Sequence, residues 1–183
     1  MNTRSNPIAA YVKGIVSFKA PAINRKARSI FLERIEKSFS LLPEEALDLF
    51  LKGSRALVVV VLADTELPLG MFTKSGGRAK ARKYTVLTYT EHASWPENRF
   101  IGSFVRELAH VVAERPPEDE WPVPRGERAR FKEKLEHRAD AMVWRWGLRH
   151  YSMSYLAATF PPHWVERIVE EVARILLEEN LEN

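Results

Sequence analysis

The longest apolar run in this chain, Ala56 to Ala63, is only strand-length. Its centre is the valine run Val58-Val59-Val60-Val61, and continuous β-branched residues of this kind predict a buried central strand over Ala56–Leu62. The same run falls far short of the roughly 20 apolar residues that cross a bilayer. The amino-terminal residues Met1 to Pro7 contain no apolar core of a secretory signal. A soluble cytoplasmic protein with no membrane partner is therefore expected.

The 183 residues, 45% of them hydrophobic, suit one folded domain spanning 1–183. Cysteine is absent, which excludes disulfides and thiolate metal sites. Glutamine is also absent while arginine and glutamate abound, a balance that suggests a thermophilic source.

Ile23, Ala27, Ile30, Phe31 and Ile35 recur at helical spacing and predict an amphipathic helix over 22–40. Residues 1–20 carry no clear pattern. Pro43-Glu44-Glu45 opens a second helix, with proline at its start and acids at the positive end of its dipole, and Gly53 ends it. Met71-Phe72-Thr73 begins a strand, Ser75-Gly76-Gly77 marks a turn, and Lys83–Thr90 forms a further strand. Ser94-Trp95-Pro96-Glu97 has capping-box spacing ahead of a helix running to about Glu114. The proline-rich stretch 115–126 is a loop. Helices are then expected from Gly126 to Trp146, from Ser152 to Phe160, and from Val165 through Leu176. Strands grouped ahead of helices indicate an α+β fold.

The helix after Glu97 carries Arg106-Glu107-Leu108-Ala109-His110. Residues four apart share one helix face, so Arg106 and His110 project together with Glu107 beside them. Two histidines at that spacing would hold zinc, and the intervening glutamate would serve as general base. Here the first histidine is arginine, whose guanidinium stays protonated and has no lone pair for a metal. Glu136 lies 26 residues after His110 on a second helix, with Asp140 one turn further along.

This constellation resembles the zincin-like metallopeptidases of the gluzincin type, in particular small intracellular members with a downstream E-x-x-A-[DN] pattern. The likeness covers about 84–146. It implies a mixed β-sheet packed against the motif helix and C-terminal helices. It also implies Glu107 as general base, His110 and Glu136 as metal ligands, and Asp140 as the acid supporting the first ligand. With Arg106 at that position, His110 and Glu136 leave two protein ligands where a catalytic zinc needs three. The leading expectation is thus a degenerate metallopeptidase-like protein that acts by binding or regulation. Arg106 would pair with Asp140 or Glu136, no metal cofactor is expected, and the partner would be a protein or peptide.

Three competing readings accompany it. The first treats the motif as a solvated polar stripe on an ordinary amphipathic helix. The second keeps an active zinc-dependent hydrolase with His137 or His92 as the missing ligand. Neighbouring helix positions diverge by about 100°, which disfavours His137, and His92 precedes the helix. The third places nucleic acid on the basic segment Lys74, Arg78, Lys80, Arg82 and Lys83. That segment has no interleaved aromatics or phosphate-loop pattern, so a solvated hairpin tip is preferred and nucleic acid is not expected. His150, His163, Trp121, Trp144 and Trp146 read as packing or surface residues, with Trp121 placed to shield the site.

Overall fold

The valine run does become an inner strand, but only one of its faces is buried. A computed structural model of the chain describes residues 6–21, 23–53, 55–63, 71–76, 83–116 and 118–181. In chain order these form α1 (Pro7–Ile15), β1 (Val16–Phe18), α2 (Arg25–Ser40), α3 (Glu44–Leu51), β2 (Ala56–Leu62), β3 (Phe72–Gly76), β4 (Lys83–Tyr89), α4 (Glu97–Val112), α5 (Arg128–Arg145), α6 (Arg149–Thr159) and α7 (Pro162–Leu181). Strand order is β1-β2-β4-β3. The first three strands are parallel, and β3 runs antiparallel to β4. The architecture is α+β with a mixed sheet.

Along β2, Leu57, Val59 and Val61 are buried, whereas Val58 is 45% exposed. The helices gather on the side that Leu57, Val59 and Val61 face. Strand β1 and helix α1 were not anticipated. Three residues are too few to show a pattern, and β1 is defined by its register on β2, Val16 beside Val59. Strand β3 extends through Ser75 and Gly76, which had read as a turn. A second correction concerns the sheet edge. Strand β4, the strand expected over 83–90, is flanked on both sides by β2 and β3 and so cannot itself pair with an extended peptide. The edge nearest the motif helix is β3.

Local signals fix the helix ends. Asn6 and Asn24 cap α1 and α2, accepting from the amides of Ile8 at 3.1 Å and Ala27 at 2.8 Å. Pro43 precedes α3, and Gly53 follows it at φ +75°. The anticipated capping box at Ser94 does not form. Pro96 occupies the cap position without a side-chain bond, and the Ser94 hydroxyl instead donates to the Glu91 carbonyl at 2.7 Å. Glu97 still favours the positive helix end, and it pairs with Lys37 of α2.

Helix α4 is the structural axis. One of its faces, carrying Phe100, Phe104, Leu108 and Val111, packs into the main core with β2, β4 and the phenylalanines of α2 and α3. Phe39 links this layer, edge-on to Phe50 at 5.3 Å and to Phe104 at 6.1 Å. The adjoining face, Ile101, Val105 and Ala109, packs against Ala139 and Val143 of α5 and Tyr151 of α6. Burying two faces of one helix leaves only a narrow stripe for polar residues. No helix among the described residues is long and apolar enough to cross a membrane.

Candidate functional site

Arg106, Glu107 and His110 occupy that stripe between the two apolar faces. Glu107 is 4% exposed and His110 is 2% exposed, so the reading of a solvated surface stripe does not hold. A buried charge needs partners, because desolvation without compensation costs several kcal/mol. Helix α5 supplies them.

Arg106 donates through Nη2 to Glu136 Oε2 at 2.8 Å and through Nε to Asp140 Oδ1 at 3.0 Å. Its guanidinium thus spans two carboxylates one turn apart on α5. It also sits 5.9 Å from the ring centroid of Tyr155 on α6. His110 Nε2 lies 3.1 Å from Glu136 Oε2. Arg115 donates through Nη1 to Glu136 Oε1 at 2.8 Å and lies 3.3 Å from His110 Nε2. Glu136 is therefore shared by Arg106, His110 and Arg115. Ser152 of α6 donates to Asp140 Oδ1 at 3.4 Å, while Asp140 Oδ2 is buried without a described hydrogen-bond partner.

The electrostatics follow from this packing. Burial works against the charge of Arg106, but Asp140 and Glu136 hold its pKa well above the ordinary arginine value. Burial likewise opposes ionisation of Glu136, yet Arg106, His110 and Arg115 hold it well below the usual carboxylate range. Glu107 behaves oppositely. Its burial outweighs the pull of His110 and Arg106 and pushes its pKa up. Two neighbouring glutamates thus shift in opposite directions: the cations around Glu136 lower its pKa, and burial raises that of Glu107.

Above the stripe opens a cavity of about 490 Å³. Its walls include Phe72 and Thr73 of β3, Glu107, Arg115, Glu136 and Phe160. The Thr73 hydroxyl donates to the Glu107 carbonyl at 3.3 Å, which ties the edge strand to the motif helix.

Arg115, Thr73, Ser152 and Tyr155 were not anticipated as site residues. Arg115 enters because α4 ends in an unusual turn. Glu114 adopts φ +54°, a left-handed conformation that glycine normally supplies. The Arg115 amide then donates back to the His110 carbonyl at 3.0 Å, which turns the following residue toward the cluster.

The other candidates lie elsewhere. His92 is fully buried, 2.9 Å from the Thr88 hydroxyl and 3.9 Å from the Trp95 ring centroid. His137 lines a smaller cavity with Trp164 and Ile168 on the side of the cluster where Arg106, Glu136 and Asp140 also border it, but it makes no described hydrogen bond to them. His150 and His163 are exposed. Neither His92 nor His137 joins His110 and Glu136 as a third ligand, and no group of three His, Asp or Glu side chains among the described residues is arranged to hold a metal ion. The residues present do not fit a catalytic zinc, because Arg106, which has no lone pair to offer a metal, bonds to Glu136 beside His110. Of the basic segment, Lys74 and Lys83 are exposed on β3 and β4, while Arg78, Lys80 and Arg82 lie outside the described residues.

No protein-family model, curated protein or solved structure matches this chain.

Proposed function

We propose that this chain is a zincin-like domain derived from a gluzincin-type metallopeptidase, and that its cleft binds a ligand instead of performing zinc proteolysis. The observation that carries the reading is the double contact of Arg106 with Glu136 and Asp140. In the resembling enzymes those two positions serve the metal and its first histidine. Here a cation incapable of ligation bonds to both. Its charge substitutes for that of an ion and joins α4 to α5. The cleft itself persists, with Glu107, Glu136 and the edge strand β3 on its walls. An open edge beside a cavity suits an extended peptide, which would add its own hydrogen bonds to the strand.

Zinc content measured by elemental analysis tests this directly. Wild-type protein should hold no stoichiometric zinc after zinc loading, and an Arg106→His variant should acquire about one ion per chain, completing the usual three-ligand set. Zinc already bound at one per chain in the wild type would refute the degenerate-site reading. A variant that still takes none would refute the zincin-like descent.

A further inference from the structure

A second cavity, about 270 Å³ in volume, adjoins the cleft and shares Thr73, Arg115 and Lys132 with it. Its character is different. Three cations line it: Lys74 from β3, Arg115 from the turn after α4, and Lys132 from α5. Thr73, Ser75 and Trp121 contribute two hydroxyls and an indole, and none of its described lining residues is acidic. Three unlike elements therefore bring positive charge to one small concavity. Like charges gathered around a hollow repel one another, and an anion placed among them relieves that repulsion.

Each cation also has capacity to spare. Arg115 spends Nη1 on Glu136, which orients the guanidinium and leaves its other nitrogens without a described partner. Lys74 lies 5.5 Å from the Phe72 ring centroid, an interaction that positions the ammonium without neutralising it. Lys132 is exposed and has no ion partner among the described residues. Trp121 closes one wall. Its indole donates to the Pro116 carbonyl at 3.2 Å, and its ring packs on Phe131 at 5.4 Å.

We infer that Lys74, Arg115 and Lys132 form an anion-recognition subsite for a phosphate or carboxylate group carried on a ligand whose body lies in the adjoining cleft. The inference rests on reading that cleft as a binding site, but not on its descent from a zinc enzyme. Arg115 belongs to both parts: through Glu136 it senses the Arg106 cluster, and through its remaining nitrogens it faces the anion.

Isothermal titration of the full chain, at constant ionic strength, with inorganic phosphate and separately with succinate tests the subsite. At least one of the two should bind saturably at a single site. Lys74→Ala and Lys132→Ala should each weaken binding roughly tenfold, the worth of one charge-assisted hydrogen bond. Both lysines are exposed, so neither change threatens the fold. Lys134→Ala removes the same charge from an exposed position about 200° around α5 and should leave the affinity unchanged. Binding of phosphate alone assigns a phosphoryl group, binding of succinate alone a carboxylate, and binding of both an unselective anion pocket. Absence of saturable binding by either anion overturns the inference, as does an equal loss in Lys134→Ala, which would reveal only diffuse charge. Failure here beside zinc uptake by Arg106→His would remove the subsite and leave the proposed descent intact. The reverse pair of results would do the opposite.

Discussion

Replacing Arg106 by methionine should destabilise the protein by about 3–5 kcal/mol in urea unfolding at neutral pH, the usual cost of removing one partner from a buried ionic cluster. The substitution keeps most of the side-chain volume, so a cavity is not the cause. What remains is Asp140, fully buried, and Glu136, 22% exposed at its side chain, without the cation that bridged them. Arg115 and His110 still face Glu136, but among the described residues Asp140 retains only Ser152 as a hydrogen-bond partner. Arg106→Lys separates charge from geometry. It preserves the cation but cannot fork between two carboxylates, and should cost about 1–2 kcal/mol. Equal losses in the two variants would show that packing, not charge, is what Arg106 contributes.

The pH dependence of that deficit is a further check. Glu136 has a folded pKa depressed from its ordinary value of 4.5, so its stabilising contribution is present above that value and is lost as pH falls through the folded one. Glu107 has the opposite sign. Its pKa is raised from 4.5, so its contribution is complete below that value and declines as pH rises through the folded one. Without Arg106 both carboxyls become easier to protonate in the folded state. The gap between wild type and Arg106→Met should therefore be widest at neutral pH and narrow on acidification. A gap that widens toward acid pH would contradict the charge assignment.

The parts of this site that were legible in the sequence are those set by helical geometry. Spacing by four places Arg106 with His110 on α4 and Glu136 with Asp140 on α5, and chemical complementarity then brings the two pairs together. Amphipathic periodicity likewise marked α2, α5 and α7, and the valine run marked an inner strand. The rest depends on features that periodicity does not encode. Strand β1 exists through its pairing with β2. The exposed face of Val58 reflects where the helices settle, not the composition of its own strand. Arg115 reaches Glu136 because Glu114, and not the customary glycine, takes the left-handed turn. Lys74 belongs to a basic segment of the sequence, yet it lines one cavity with Arg115 and Lys132, distant in sequence and invisible to any local pattern.

Gly102 supplies the sharpest test of how the cleft is held together, because its substitution should run against helix propensity. In mid-helix, glycine to alanine ordinarily gains about 1 kcal/mol. Gly14, in the last turn of α1, has open space around it, so alanine there should be tolerated without a clash. A Cβ on Gly102 would instead lie 2.0 Å from the Tyr151 carbonyl oxygen and 3.1 Å from Tyr155 Cβ. The oxygen belongs to the backbone of α6, so no rotamer change relieves the overlap; the helices must separate. Gly102→Ala should thus cost about 2–3 kcal/mol net and lower the melting temperature by roughly 5–10 °C. The damage should reach the cluster as well, since α6 carries Ser152 beside Asp140 and Tyr155 beside Arg106. Displacing α6 removes support from both ends of the Arg106–Asp140 bond, so Arg106→Met should cost less in a Gly102→Ala background than alone. Additive losses would mean that α6 covers the site without holding it, and that the geometry of the ion cluster is set by α4 and α5 alone.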